Sequence, residues 1–198
     1  MLTIYTLAPV KIVSSRNRNR LRKEAYMLRK KFELEYEKMF PIMEFLELIM
    51  PQVDPEFVVV PEEDSNLLGR AAETIPELHM IRVKQSIYDA ACAGRYWARL
   101  VMAHELGHYL CHGADNVAYA YPAPGEQLPP DIDAERQADI FAAELLVPVN
   151  LIDEPSDYLV SKHFGVPKGV ARTQMGQARR VRKRHQYRAQ RRKSKENG

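Results

Sequence analysis

Residues 99–112 read Arg99-Leu100-Val101-Met102-Ala103-His104-Glu105-Leu106-Gly107-His108-Tyr109-Leu110-Cys111-His112. The stretch contains no proline and is followed by Gly113, so it predicts a helix over about 95–112 with a glycine stop. Leu100, Val101 and Leu110 give that helix an apolar face. His104, Glu105 and His108 form the pattern H-E-x-x-H. Side chains four residues apart lie about 40° apart around a helix and about 6 Å along it, so both imidazoles can reach one ion. A bound zinc lowers the pKa of its water towards about 7, and a carboxylate at Glu105 can take the proton and later pass it to a leaving amine.

A catalytic zinc needs a third protein ligand. His112 continues the four-residue series but lies about 12 Å along the axis from His104, too far to share the ion. It is expected to cap the helix end, where the dipole favours His. Cys111 points away from the metal edge, and His79, His163 and His185 have no partner pattern. The better candidate is Glu135, in Glu135-Arg136-Gln137-Ala138-Asp139. Asp131 is expected to cap a helix over 131–147, ended by Pro148. Glu135, Asp139, Ala142 and Leu146 share one stripe of that helix. Two carboxylates on such a stripe call for neutralising partners. A metal serves for Glu135, and a ligand imidazole for Asp139, which would accept the ring's outer N–H.

Around these two helices the chain alternates between helix and strand signals. Leu21, Ala25, Leu28, Phe32, Tyr36 and Met39 recur at helical steps over 16–40. A second short helix follows Pro41 and ends before Pro51. Residues 57–60 and 78–83 predict strands, while 61–76 is acidic and turn-rich. Residues 114–130 hold four prolines and predict a loop. Short helices split at Gly165 are expected over 156–175. The expected organisation is an N-terminal segment (1–15), a helical region (16–50), a core (51–150), a short helical segment (151–176) and a basic, disordered tail (177–198). Helices, strands, then helices argue for α+β with a small sheet.

Composition bounds the setting. The chain has 198 residues, 45% hydrophobic and 28% charged, ordinary for a soluble domain. No apolar run is long enough to span a membrane, and residues 1–13 lack a basic start and a cleavage site. Two cysteines exclude a disulfide framework and favour a reducing cytoplasm. The net charge of +3 divides unevenly: residues 1–31 carry +8, 32–161 carry −17 and 162–198 carry +12. Basic ends suit nucleic acid or an acidic partner.

Residues 99–112 together with 135–148 (Glu135-Arg136-Gln137-Ala138-Asp139-Ile140-Phe141-Ala142-Ala143-Glu144-Leu145-Leu146-Val147-Pro148) resemble the ImmA/IrrE family of metallopeptidases. The family's second helix typically reads E-x-x-A-D/N-x-F-A-A-x-L-L-M-P. The likeness runs over 78–148, and more weakly over 159–175, where Lys162-His163-Phe164-Gly165-Val166-Pro167 is similar to a short family segment. Leu100-Val101 and Pro167 depart from the usual Phe-Thr and Ser, changes of packing and capping that leave the metal site intact. The resemblance implies a gluzincin-like, zincin-like α+β fold with a small mixed sheet, an active-site helix and a second helix bearing a metal ligand. It implies His104, His108 and Glu135 as zinc ligands, Glu105 as base and Asp139 behind a ligand. It also implies cleavage of a helix-turn-helix repressor or related regulator, releasing genes of a mobile element or stress response. Tyr109, Tyr119, Tyr121, His112 and His163 are candidates to stabilise the oxyanion, and strand 78–83 is a candidate edge for an extended substrate. The contrasting reading is a nucleic-acid-associated or repressor-binding protein with a structural zinc and a phosphate-binding tail.

Overall fold

In the computed structural model, residues 10–67, 69–113, 117–120, 129 and 131–196 are described. The fold is α+β and zincin-like. A three-stranded mixed sheet has the order β2 (Val58–Glu62), β4 (Met80–Lys84), β3 (Ala72–Ile75). β2 runs parallel to β4, with Val58 opposite Met80, and β3 runs antiparallel, with Thr74 opposite Ile81. Along β4, Ile81 and Val83 face the core and alternate with less buried Met80, Arg82 and Lys84, the two-residue period of a half-buried strand. β4 is therefore the central strand, with both edges paired. The expectation of an open edge at 78–83 is corrected: the edge lying against the H-E-x-x-H helix belongs to β3. β3 falls in the segment expected to be turns, because Glu73 and Thr74 dilute its apolar signal.

The N-terminal half adds helices to this core, the first of them lying on the helix that carries Glu135. Asn17 caps α1 (Arg18–Lys31) by accepting from the Arg20 N–H, and Leu21 and Ala25 bury its apolar face. α2 (Ile42–Glu44) and α3 (Met50–Val53) flank a π-helical turn, Phe45–Ile49. The Met50 N–H bonds to the Phe45 carbonyl across the wider turn. Pro51 then enters in the first turn of α3, where its missing N–H leaves no gap, so the helix continues past the proline expected to end it. α4 (Gln85–Cys92), not anticipated, follows β4 directly and leads into α5 (Tyr96–Cys111). A two-stranded antiparallel ribbon joins β1 (Val10–Val13) to β5 (Val117–Ala120), placing strand where a loop was expected. Tyr121 and most of that expected loop lie outside the described residues, as do residues 1–9 of the N-terminal segment.

α6 (Ala134–Leu146) carries Glu135. Its cap is Asp133, which accepts from the Arg136 N–H at 3.2 Å, rather than Asp131. Asp131 instead holds the β1–α1 connection, through Ser15 Oγ at 2.7 Å and through its carbonyl to the Arg16 N–H at 2.8 Å. α7 (Asp157–Phe164) stops at Gly165, whose φ of 64° is the left-handed cap expected of a glycine. α8 (Lys168–Glu196) then runs for 29 residues. The stretch 177–196, expected as a disordered tail, is helical: Arg, Lys, Gln and Ala are all good helix formers, and no proline interrupts them. One hydrophobic cluster extends from Leu21 to Ala178. Among the described residues, no helix is long and apolar enough to cross a membrane.

Candidate metal centre

α5 and α6 meet at a glycine. A Cβ on Gly107 would lie 3.2 Å from both Cα and O of Ala138 and 3.3 Å from the Phe141 ring. Its absence lets the backbone of α6 settle onto α5 beside the two histidines. The approach delivers Glu135 to them from the first turn of α6. Glu135 Oε2 lies 3.3 Å from His104 Nε2, and Oε1 lies 3.4 Å from His108 Nε2. The two Nε2 atoms are 3.0 Å apart. One ligand atom from each of the three residues fits within 4.8 Å of the others.

These separations suit a metal. Donors about 2.0–2.1 Å from a tetrahedral ion stand roughly 3.3 Å from each other. The donor chemistry agrees, because two imidazole nitrogens and a carboxylate are a set that binds zinc. A positive charge between them satisfies all three. The electrostatics show the same preference. Burial works against a charge on His104, yet hydrogen bonds to Asp139 and Glu135 outweigh it and raise its pKa to about 10. Hydrogen bonds from His104 and His108 hold the Glu135 carboxyl well below the usual carboxylate range.

The outer nitrogens are held differently. His104 Nδ1 lies 3.0 Å from Asp139 Oδ1, one turn beyond Glu135 on α6. Glu135 and Asp139 are largely exposed at their side chains, 69% and 68%. They stand at the protein surface, so the buried-stripe reason for choosing them does not hold, although their nearness to the histidines does. His108 Nδ1 lies 3.0 Å from His112 Nδ1, and His112 Nε2 lies 3.3 Å from Gln137 Oε1. Gln137 Nε2 donates to the carbonyls of Asp131 (2.7 Å) and Ser14 (3.0 Å). His112 and Gln137 are both buried. Burial, then the neighbouring His108, push the His112 pKa down to about 4, so this ring is neutral. His112 is the C-cap of α5, as expected, its N–H bonding the His108 carbonyl, and its side chain turns inward and bridges α5 to α6.

Glu105 is buried at 8% exposure. Thr74, on β3, places its hydroxyl 2.6 Å from Glu105 Oε2 and 3.0 Å from the Glu105 carbonyl. Three proposed oxyanion donors are engaged elsewhere. The Tyr109 hydroxyl donates to Asp54, which also meets His79 Nδ1 at 2.7 Å. His163 pairs with Glu154 at 2.9 Å, and His112 is taken up as described. The side chain of Tyr119 lies outside the described residues, as Tyr121 does. Cys92 and Cys111 are free thiols; Cys111 takes part only through its carbonyl, which accepts from Arg16.

A small mixed sheet, a helix bearing H-E-x-x-H along its edge strand and a second helix supplying a glutamate together define a zincin-like metallopeptidase domain. Residues 79–175 match the family described as Peptidase_M78, the IrrE N-terminal-like domain, and this stretch belongs to the ImmA/IrrE metallopeptidases. No match was found among curated proteins. Thr74, Ser14 and all of α1 precede the matched stretch, so part of what surrounds the centre lies outside it.

Proposed function

We propose that the chain is a zinc-dependent endopeptidase of the cytoplasm, with His104, His108 and Glu135 as ligands and Glu105 as general base. The observation that carries this reading is the convergence of the three donors, at 3.0–3.4 Å, beside a buried glutamate one position from the first of them. The cluster has three protein donors among the described residues, the count of an open catalytic zinc site rather than a closed structural one. When bound, the zinc polarises the scissile carbonyl and acidifies the attacking water. Thr74 donates to one oxygen of Glu105 and fixes its rotamer, which leaves Oε1 to take a proton and return it to the leaving amine. Asp139 accepts from His104 Nδ1 and so directs its Nε2 lone pair inward. The substrate lies as an added strand along the outer edge of β3, which brings a peptide carbonyl past Glu105.

His108 is oriented by a neutral residue rather than a carboxylate. If its Nε2 faces the metal, its Nδ1 carries the hydrogen and donates to His112. His112 then donates from Nε2 to Gln137, whose amide donates to Ser14 and Asp131. Every bond in this relay has one donor and one acceptor. His112→Ala is expected to weaken zinc binding about 10–100-fold, measured by competition with a chromophoric chelator. Unchanged affinity in a folded variant would remove the relay's role.

The substrate we propose is a helix-turn-helix repressor or related regulator, a reading supported by family resemblance. Glu105→Gln keeps the ligands but lacks the base, so it is expected to retain substrate. The test is mass spectrometry of what the variant holds from its host. A DNA-binding regulator held by the variant and cut by the unaltered protein supports the reading. A retained protein that the unaltered chain leaves intact would instead favour a binding protein with a structural metal.

A further inference from the structure

We propose that the outer part of α8 binds the phosphate backbone of double-stranded DNA. α8 is rooted by its first half. Ala171, Gln174 and Ala178 are buried, and Gln174 Nε2 donates to the carbonyls of Ala143 (3.2 Å) and Val147 (2.9 Å) at the end of α6. Val181 still packs against the core, and Arg182 donates to the Ile152 carbonyl. Beyond that point the helix leaves the body: every described side chain from Lys183 to Arg191 is exposed. Residues 182–196 extend about 20 Å at 1.5 Å per residue, close to two-thirds of a turn of duplex.

This projecting segment is cationic throughout. Seven Lys and Arg fall from Lys183 to Lys195, three more stand just before them at Arg179, Arg180 and Arg182, and no acid interrupts the run before Glu196. Arg180, Arg184, Arg188 and Arg192 follow one another at four-residue steps, as do Arg179 with Lys183 and Arg191 with Lys195. Like charges at that spacing repel along a helix, and a polyanion laid against them reverses the effect. Three other anionic partners fit less well. An anionic membrane requires an apolar face, and Tyr187 and Ala189 are the only apolar residues after Val181. Single strands bind through aromatic stacking platforms, and Tyr187 stands as the sole aromatic, itself under the Arg191 guanidinium at 6.0 Å. An RNA duplex hides its major groove from a helix, whereas that of B-form DNA is about 12 Å wide and admits one.

The placement leaves the metal centre open. α8 is anchored at the C-terminal end of α6, while Glu135 stands at the other end, about 14 Å away along the helix. The inference does not rest on the peptidase reading. Fluorescence anisotropy of the full chain with a 20-base-pair duplex of arbitrary sequence tests it. Binding is expected to weaken linearly in log–log form with salt, with a slope of about −4, and to be indifferent to sequence. Replacing Lys183, Arg184 and Arg188 with Gln, which preserves helix propensity, is expected to reduce that slope by about 2–3 and weaken binding at least about tenfold at low salt. The proposal is overturned by absent binding at 50 mM salt (roughly the low end of the range used for such slopes), by an unchanged slope in the folded triple variant, or by tighter binding to phosphatidylserine vesicles, an acidic peptide or single-stranded RNA.

Discussion

Glu105→Gln is expected to slow peptide hydrolysis by about 10²–10⁴-fold while metal content stays at the level of the unaltered protein. Glutamine is nearly isosteric with glutamate and still accepts the Thr74 hydroxyl through its amide oxygen, so β3 and α5 keep their contact. What disappears is a carboxylate able to take a proton. The proposed ligands are other residues, and the separations of 3.0–3.4 Å among their donor atoms do not depend on Glu105. Turnover on a peptide substrate and zinc by atomic absorption should therefore part company. Loss of both together would mean that Glu105 supports the site's structure and that its chemistry belongs to another group. Thr74→Val is the informative companion. It leaves Glu105 in place without its anchor, so a smaller fall in rate is expected than for the glutamine variant.

The two helices and their chemistry were legible because helical spacing fixes angle. His104, His108 and Glu105 had to share an edge of α5, and Asp139 had to stand one turn from Glu135, whatever else the chain did. Where α6 docks was not legible in that way, since it depends on Gly107 admitting the backbone at Ala138. The burial of the stripe was misjudged for a related reason. Periodicity shows which residues share a face but not where along the helix the protein surface begins, and on α6 it begins between Asp139 and Ala142. β3 was missed because Glu73 and Thr74 face a partner strand and the Glu105 side chain rather than a uniform core. His112 and Gln137 lay 25 residues apart, and only the crossing of α5 and α6 joins them. The basic N-terminus was read as a surface for partners. Four of its arginines in fact point inward, Arg29 to the Leu145 carbonyl at 2.7 Å, Arg16 to the Cys111 carbonyl, and Arg18 and Arg22 to Glu144. Charge counts carry no direction, so that distinction could not come from composition.

Glu144→Ala is expected to destabilise the protein by about 3 kcal/mol and lower its melting temperature by about 6–12 °C. Glu144 has no exposed side-chain surface and receives Arg22 in a two-pronged contact, Nε at 2.8 Å and Nη2 at 2.9 Å, with Arg18 Nη1 at 3.0 Å. The two arginines come from α1, so this carboxylate is the polar centre of the α1–α6 junction. Removing it leaves two guanidiniums facing a partly dry junction without an anion. Both are about a quarter exposed, 29% and 21%, and can turn partway to water, which keeps the cost at the lower end of that for a broken buried pair. The arginines themselves supply the control. Glu144→Leu combined with Arg18→Leu and Arg22→Met exchanges the ion cluster for apolar contact and should recover most of the loss, because such swaps are often neutral. Urea denaturation of the single and combined variants measures both quantities. A loss below about 1 kcal/mol, the range of exposed pairs, would show that Leu21, Ala25 and the Arg29 contact suffice to hold α1 on α6 and that the clamp at Glu144 adds nothing.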